Sequence, residues 1–190
     1  MFKIMLKEIR HIQASADLLY SERDVEAALD KMAEQINVLL ADRNPLLLCV
    51  MNGGIVVAGH IITRLTIPLT IDAINASRYQ NQTVGGSIEW LLKPATPLKD
   101  RTVLIIDDIL DEGITLAAIY DYCLAQGASS VYSAVLVDKM LDHDKPITAD
   151  FIGLTVENRY IFGYGMDYKG YLRNAPGIYA CKDYDEDALL

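Results

Sequence analysis

The spacing of apolar residues changes along the chain and predicts both helices and strands. From Val25 to Leu39, apolar residues recur every three or four positions, which predicts one buried face of a helix over residues 22–41. Ser21 and Asp24 predict the N-cap and an acidic first turn of this helix.

Short apolar runs without polar alternation predict strands that are buried on both faces. Residues 46–50 and 102–106 are the plainest examples, and such strands are typical of parallel sheets covered by helices. Further helices are predicted over residues 54–64 and 115–125, and the polar residues 76–87 predict a long loop. The remaining strand candidates are residues 68–74, 88–92, 131–137, 151–156, 160–164 and 177–181.

The order of these elements predicts an α/β fold with a mainly parallel, twisted sheet flanked by helices. We expect residues 1–190 to form a single domain, because this length suffices for one sizeable core. The N-terminal segment and the short C-terminal strands are expected to form a small hood. It would lie over the edge of the sheet where open α/β folds bind ligands.

Composition and charge indicate where this protein is located and which partners it lacks. The chain is 52% hydrophobic and 23% charged, as is usual for soluble globular proteins. No apolar run approaches the roughly 18 residues of a membrane span, and residues 1–10 lack the apolar core of a signal peptide. We therefore expect a cytoplasmic protein without membrane contact.

The spacing of the cysteines and the net charge exclude other classes of protein. The three cysteines, Cys49, Cys123 and Cys181, have neither the spacing of a disulfide framework nor the Cys-x-x-Cys spacing of a metal site, so we expect them to be reduced. The net charge of −9 argues against a nucleic-acid partner.

Residues 103–115 place acidic residues and a glycine-containing loop directly after a predicted buried strand. They read Val-Leu-Ile-Ile-Asp-Asp-Ile-Leu-Asp-Glu-Gly-Ile-Thr. Asp107 and Asp108 follow the apolar run, at the end of the strand where open α/β sheets bind ligands. Paired carboxylates suit Mg²⁺ or sugar hydroxyls. Neighbours on a strand point in opposite directions, so we expect both to serve one site only if the strand ends before them. A solvated strand end is the alternative interpretation.

The loop from Asp111 to Thr115 has the residue types of an anion site. Gly113 permits backbone conformations and a close ligand approach that other residues do not. Successive amides at a helix N-terminus form a nest for phosphate, and the Thr115 hydroxyl adds a donor. The loop lacks the lysine and spacing of a Walker loop. Taken alone, it is also compatible with an ordinary helix entry.

Residues 103–115 resemble the phosphoribosyl pyrophosphate (PRPP) motif of the type I phosphoribosyltransferases, in which a buried strand and two acids precede Asp-x-Gly-x-Thr. Other segments, in the order of the family, are similar to its hypoxanthine-guanine branch. Residues 50–54, Val-Met-Asn-Gly-Gly, resemble the pyrophosphate loop, and residues 136–139 resemble the strand end with a purine-reading lysine. The C-terminal resemblance covers residues 160–168 and 171–176.

The resemblance implies an enzyme that uses Mg²⁺ and transfers the phosphoribosyl group from PRPP to a 6-oxopurine, with release of pyrophosphate. It implies that Asp111 is the general base. It assigns Asp107, Asp108, Asp111, Glu112, Gly113, Ile114 and Thr115 to PRPP, and Asn52, Gly53 and Arg173 to pyrophosphate. It assigns Lys139, Tyr160, Ile161 and Asp167 to the purine, and Asp107, Asp108 and Asp167 to the metal.

Several of these residues have a structural alternative when each is taken alone. Lys139 would then be a solvated lysine, Tyr160 a core residue, and Asp167 and Arg173 a surface ion pair. The ordered matches along the chain favour the functional interpretation.

The chain departs from the resemblance at two positions near the phosphates. Better-known members carry lysine where this chain has Asn52, so Arg78 or Arg173 is left to supply positive charge to pyrophosphate. The peptide before Asn52 is implied to be able to adopt the cis form. Glu112 replaces a common threonine, and we expect its carboxylate to point away from phosphate while its N–H contributes.

A lid is also implied, because this family closes a long loop with a Ser-Tyr pair over the transition state. Here Arg78 separates Ser77 from Tyr79, so either Ser77 or Arg78 is expected to reach pyrophosphate. A lid would exclude water from a reactive sugar cation. A plain solvated hairpin is the alternative.

Two other functions remain open at this point. A nucleotide-sensing regulator on the same fold would need a basic surface, which the net charge disfavours. A phosphoribosyltransferase with a xanthine preference is harder to separate from the leading hypothesis. The resemblance also implies a homodimer or homotetramer.

Overall fold

The structure, a computed structural model, describes residues 2–78 and 88–182, without the side chains of residues 2–4, 77 and 78. The helices are α1 (Phe2–Ser15), α2 (Glu22–Leu39), α3 (Gly54–Ile62) and α4 (Ile114–Ala125). The strands are β1 (Asp17–Ser21), β2 (Leu46–Val50), β3 (Thr70–Arg78), β4 (Ile88–Leu92), β5 (Thr102–Leu110), β6 (Ser130–Lys139), β7 (Phe151–Val156), β8 (Ile161–Phe162) and β9 (Gly177–Ala180).

A six-stranded sheet in the order β4-β3-β2-β5-β6-β7 positions the candidate site. Strands β3, β2, β5, β6 and β7 run parallel to their neighbours, while β4 pairs antiparallel with β3. The predicted α/β fold with a mainly parallel sheet is therefore confirmed. Because the strands are parallel, the carboxyl ends of β2, β5 and β6 meet at one edge of the sheet.

Strand β2 explains why the apolar runs show no alternation. Leu46 and Leu48 face a core that includes residues of α4, whereas Leu47 and Cys49 face a core that includes residues of α2 and α3. All five residues of this strand are buried. A strand covered by helices on both faces has no solvent-facing side that would require polar residues.

Helix α2 begins as the sequence predicts. The Ser21 side chain accepts a hydrogen bond from the amide of Asp24, and the Asp24 carboxylate accepts one from the amide of Ser21 (3.3 and 2.9 Å). This reciprocal capping box satisfies donors that the helix itself cannot pair. The helix ends at Leu39, two residues before the predicted end.

Replacing Ser21 with alanine is expected to lower the free energy of unfolding by about 1 kcal/mol, because the α2 N-terminus loses its side-chain acceptor. Urea unfolding followed by circular dichroism measures the change. Ser129→Ala, which alters an exposed serine outside the helices, is the matched control and should change stability by less than about 0.5 kcal/mol. Equal stability of the Ser21→Ala variant and the parent would contradict the role of this cap.

A small hood of three strands, in the order β1-β9-β8, lies with α1 beside the main sheet. The sequence predicts that the N-terminal segment belongs to the hood, but not that it forms the helix α1 and the strand β1. Ile9 and Ile12 of α1 share a buried cluster with Phe162 and Leu172. In addition, Glu8 accepts hydrogen bonds from the Tyr168 hydroxyl and the Lys169 ammonium (2.9 and 2.8 Å). Helix α1 thus packs against the C-terminal segment that contributes to the candidate site.

Three strands extend beyond their predicted ends, and one of them, β6, reaches Lys139 instead of residue 137. Strand β3 continues to Arg78, into the residues that were predicted to be loop, and β5 continues past the expected end at residue 106 to Leu110. The last pair between β2 and β5 is Cys49 with Ile106, so β5 has no strand partner on its β2 side beyond this point. Across the described parts of the chain, no helix is long and apolar enough to cross a membrane.

Candidate functional site

A cavity of about 530 Å³ opens at the carboxyl edge of the sheet, between the strand ends and the hood. The loop after β2, the ends of β5 and β6, and the C-terminal segment all contribute to it. Its lining residues are Met51, Asn52, Gly53, Asp107, Asp108, Ile109, Asp111, Lys139, Tyr160, Ile161, Met166, Asp167 and Arg173. The structure therefore brings together the residues that the sequence assigns to pyrophosphate, ribose and purine.

Asp107 and Asp108 both line this cavity although β5 continues through them. The expectation that both serve one site only if the strand ends first is wrong. Beyond Ile106, β5 no longer pairs with β2, and the Asp107 carboxylate turns back to accept a hydrogen bond from the Asp108 amide at 2.9 Å. Both side chains therefore reach the cavity that lies between β5 and the loop at residues 51–53.

The pKa values of Asp107 and Asp108 are both raised by their surroundings. Burial raises the pKa of Asp107, and the nearby charge of Asp108 raises it further. Burial also raises the pKa of Asp108, which is 7% exposed, while Asp107 and Arg173 oppose this rise. Buried carboxylates so close together favour a partner that supplies positive charge or hydrogen-bond donors.

Backbone close to Asp108 leaves no space for additional side chains. Gly165 has φ +111°, and a Cβ atom there would overlap the carbonyl oxygen of Gly53. A Cβ atom at Gly53 would overlap the Asp108 carboxylate. The peptide bond between Met51 and Asn52 is cis, as the resemblance implies that it can be.

Lys139 and Asp111 form an ion pair at the end of β6. Their Nζ and Oδ1 atoms are 3.0 Å apart, and Lys139 is 7% exposed. The alternative of a solvated lysine is therefore wrong, because the ammonium is buried and faces the cavity. Tyr160 and Ile161 line the same cavity from the hood, with the Tyr160 ring edge-on to Tyr168 at 5.7 Å.

Asp167 and Arg173 are paired with each other on the hood side of the cavity. An Arg173 Nη atom lies 2.6 Å from Asp167 Oδ1, and the guanidinium also donates to the carbonyl oxygen of Gly165 at 2.6 Å. Asp167 accepts a further hydrogen bond from the amide of Gly170 at 2.6 Å. The ion pair that the sequence offers as an alternative is present, but it lines the cavity instead of lying apart from it.

The loop before α4 encloses a second, smaller cavity of about 180 Å³, lined by residues 107–116. Gly113 occupies the N-cap position with φ +77°, a conformation that favours glycine. The N-terminus of α4 has no side-chain cap. Its first amides, together with the helix dipole, favour an anion.

Glu112 in this loop is paired with a histidine that the sequence did not single out. Its Oε2 atom lies 3.1 Å from His143 Nε2, and His143 Nδ1 lies 3.0 Å from Asp142. The hydrogen bond to Asp142 raises the pKa of His143, and the hydrogen bond to Glu112 raises it further. When His143 is protonated, its charge offsets that of the Glu112 carboxylate, which would otherwise oppose a phosphate here.

The lid residues cannot be placed fully. Ser77 and Arg78 form the end of β3, but their side chains lie outside the described residues, as does all of Tyr79. The sequence did not predict that Met51, Ile109 and Met166 line the main cavity. Each of the three directly neighbours a predicted site residue in the sequence, and this proximity is the signal that could have identified it.

A mainly parallel sheet with acids at the end of β5, a glycine turn at the uncapped N-terminus of α4 and a hood over one edge define a type I phosphoribosyltransferase fold. The sequence matches the phosphoribosyl transferase domain family over residues 15–169. The chain belongs to the phosphoribosyltransferase family.

Relatives carry more specific names. The hypoxanthine-guanine phosphoribosyltransferase of Streptococcus thermophilus is 32% identical over 167 residues, covering 87% of this chain and 93% of that protein. The hypoxanthine-guanine-xanthine phosphoribosyltransferase of Tritrichomonas foetus is 30% identical, covering 87% and 91%. A solved hypoxanthine-guanine phosphoribosyltransferase of Bacillus anthracis, with a HEPES molecule in its active site, is 28% identical with a TM-score of 0.81, covering 86% and 97%.

Proposed function

We propose that this protein transfers the 5-phosphoribosyl group from PRPP to hypoxanthine or guanine, and so acts in purine salvage. The observation that carries the proposal is the position of the Lys139–Asp111 pair. It lines the main cavity, and Asp111 also lines the phosphate nest. Groups suited to a base therefore lie next to groups suited to a ribose phosphate.

For PRPP, we propose that the 5′-phosphate binds in the nest formed by Asp111, Glu112, Gly113, Ile114 and Thr115. Backbone amides supply the donors there. The ribose hydroxyls would then lie against Asp107 and Asp108, with their donors directed at the buried carboxylates. This pairing would offset the burial that raises the pKa of both acids.

For the purine, we propose that Lys139 donates to the 6-oxo group. A 6-aminopurine would place an amino group, which donates hydrogen bonds, against the Lys139 ammonium. The ammonium has only donors and cannot accept such a bond. Tyr160 would stack on the base, and the Ile161 backbone and Asp167 would complete this side of the cavity. Asp111 would lie near N7 and accept its proton, which is the general-base role.

For pyrophosphate, we propose Asn52, Gly53 and Arg173 as contacts. Asn52 contributes no charge, so the Arg173 guanidinium is the described cation that lines this part of the cavity. Its planar donors suit phosphate oxygens. Ser77 or Arg78 would add a contact from the lid.

In the reaction, the bond from the anomeric carbon to pyrophosphate breaks and a bond to the purine nitrogen forms. Positive charge develops on the ribose, and it favours the ionised form of the Asp107 and Asp108 carboxyl groups that face it. Arg173 and the backbone of Gly53 stabilise the departing pyrophosphate. The hood limits access of water to the reacting carbon.

The residues fit a magnesium cofactor that is shared with the substrate. Their carboxylates are hard oxygen donors, and a cation would relieve the raised pKa of Asp107 and Asp108. Among the described residues, no three metal-ligating side chains converge. Magnesium is commonly bound by one or two carboxylates together with substrate phosphates. We propose Asp107 and Asp108 as protein ligands of one ion and Asp167 as a ligand of a second ion, where both ions would neutralise pyrophosphate charge.

The proposal is tested by one assay in which the protein, PRPP and Mg²⁺ are combined separately with hypoxanthine, guanine, xanthine, adenine and uracil. We expect turnover of hypoxanthine or guanine and little turnover of adenine and uracil. The xanthine rate decides whether the wider specificity in the name of the Tritrichomonas foetus relative extends to this chain. An absence of turnover with every purine would overturn the proposal.

We also expect the apparent KM for PRPP to rise with pH through the titration of His143. Below its raised pKa, His143 is charged and offsets Glu112; above it, the Glu112 charge repels the phosphate. Because this pair is exposed, the rise should be modest, about two- to fivefold. Kinetics between about pH 6 and pH 9 measure it.

His143→Gln should flatten this profile, whereas the matched control His11→Gln, which alters an exposed residue of α1, should leave it unchanged. An identical pH dependence in the parent and His143→Gln would show that another group is responsible.

We further propose that residues 1–190 act as one domain, that the protein works in the cytoplasm, and that it assembles as a homodimer or homotetramer. The buried free thiols of Cys49, Cys123 and Cys181 suit a reducing compartment. Light scattering on the purified protein decides the assembly state, and a monomeric mass would contradict this part of the proposal.

A further inference from the structure

Lys145 is a nearly buried lysine that lies outside the main cavity. Its side chain is 11% exposed. It follows β6 by six residues and reaches back between the ends of β5 and β6. A lysine is rarely this buried without several partners, because desolvation of an ammonium is costly.

The Lys145 ammonium donates to three oxygen atoms. It lies 2.7 Å from the carbonyl oxygen of Leu110 and 2.6 Å from Asp138 Oδ1, and it also donates to the carbonyl oxygen of Lys139. An ammonium has three donors, so all of them are used. The acceptors belong to the last residues of two neighbouring strands.

Two of the residues that the proposed function places against the purine, Asp111 and Lys139, lie at these strand ends. Leu110 directly precedes Asp111, and Lys139 is itself one of the acceptors. Leu110 and Asp138 are also paired across β5 and β6. Lys145 therefore links the ends of β5 and β6 on one side, and the Lys139–Asp111 ion pair links them on the cavity side.

A second set of contacts connects the same segment to the phosphate nest. The Cδ atom of Pro146 and the Cβ atom of Lys145 lie 3.3 and 3.4 Å from the point where a Cβ of Gly113 would stand. His143 is paired with Glu112. Residues 143–146 thus pack along the nest at several points, with Lys145 as the buried member.

We propose that Lys145 is a positioning residue that fixes the separation of Asp111 and Lys139, and through it the selectivity for 6-oxopurines over 6-aminopurines. This inference rests on the proposed function. Without the ammonium, two carbonyl oxygens and the Asp138 carboxylate lose their shared donor, and the strand ends are free to separate. Lys139 would then no longer be held at one distance from the base.

The test compares the ratio of kcat/KM for hypoxanthine to kcat/KM for adenine in four proteins: the parent, Lys145→Met, Lys139→Met and the double variant. Lys145→Met is expected to lower this ratio about tenfold in the parent background and not at all in the Lys139→Met background, because it acts through Lys139. Lys31→Met, which alters an exposed lysine of α2, is the matched control and should leave the ratio unchanged.

An unchanged ratio in Lys145→Met, or an equal change in both backgrounds, would overturn the inference while the proposed function stands. A purely structural loss would lower both rates together and leave the ratio as it was. If Lys145→Met does not fold, Asp138→Asn removes the charged acceptor and should lower the same ratio by a smaller factor; no change would count against the inference.

If the parent turns over no purine, the proposed function fails. Amide hydrogen exchange then tests the structural claim that Lys145 holds the ends of β5 and β6 in place. Lys145→Met, or Asp138→Asn if that variant alone folds, should then increase exchange at residues 110–115 and 138–140, with the rest of the sheet unaltered. Parent-like protection of these residues would overturn the positioning role.

Discussion

Replacement of Asp111 with asparagine is expected to lower kcat for hypoxanthine by about 10²- to 10⁴-fold, the range typical for loss of a general base. The amide keeps the size of the side chain and can still accept a hydrogen bond from Lys139, which lies 3.0 Å from Asp111 in the parent. What is lost is the capacity to take a proton from the purine. The KM for PRPP should change much less than kcat.

Steady-state kinetics measure this effect, with Asp121→Asn as the matched control because Asp121 is an exposed aspartate of α4. The control should retain the activity of the parent. If Asp111→Asn keeps kcat within about twofold, Asp111 does not act as the base and another group must take the proton.

Replacement of Lys139 with methionine should raise the KM for hypoxanthine by about 10- to 100-fold, as expected for a lost hydrogen bond from a charged donor. Methionine retains an unbranched chain in a position that is 7% exposed. The adenine rate should fall far less, so the preference for 6-oxopurines should largely disappear.

The purine KM values of Lys139→Met and of the control Lys31→Met provide the comparison. A hypoxanthine KM equal to that of the parent would remove Lys139 from the purine site. An equal rise for hypoxanthine and adenine would instead indicate general damage to the cavity.

The main sheet was predictable because its strands leave a strong signal in a single sequence. A strand such as β2, buried on both faces, needs apolar residues at every position. The α2 capping box is equally local, since Ser21 and Asp24 are three residues apart. Such features depend on neighbours in sequence and can be recognised without knowledge of the fold.

The hood and the strand ends were harder to predict because long-range contacts determine them. Helix α1 is held by Tyr168 and Lys169, more than 150 residues away along the chain. The extent of β5 beyond Ile106 depends on pairing with β6, because the pairing of β5 with β2 ends at Ile106. No local pattern in residues 107–110 encodes this one-sided pairing.

For the candidate site, the motifs predicted which residues meet but not how they are paired. Asn52, Asp108 and Tyr160 line one cavity, as expected. The ion pair of Lys139 with Asp111 and the three hydrogen bonds of Lys145 became evident only in the structure. Lys145 belongs to a polar segment without a motif, so sequence alone gave no reason to single it out.

The central claim is that one cavity joins PRPP and a 6-oxopurine. Mass spectrometry of the products formed from PRPP, Mg²⁺ and hypoxanthine tests it most directly. The account predicts inosine 5′-monophosphate and pyrophosphate in a one-to-one ratio, with the yield greatly reduced in Asp111→Asn. Pyrophosphate with ribose 5-phosphate and no nucleotide, or no consumption of PRPP, would contradict it.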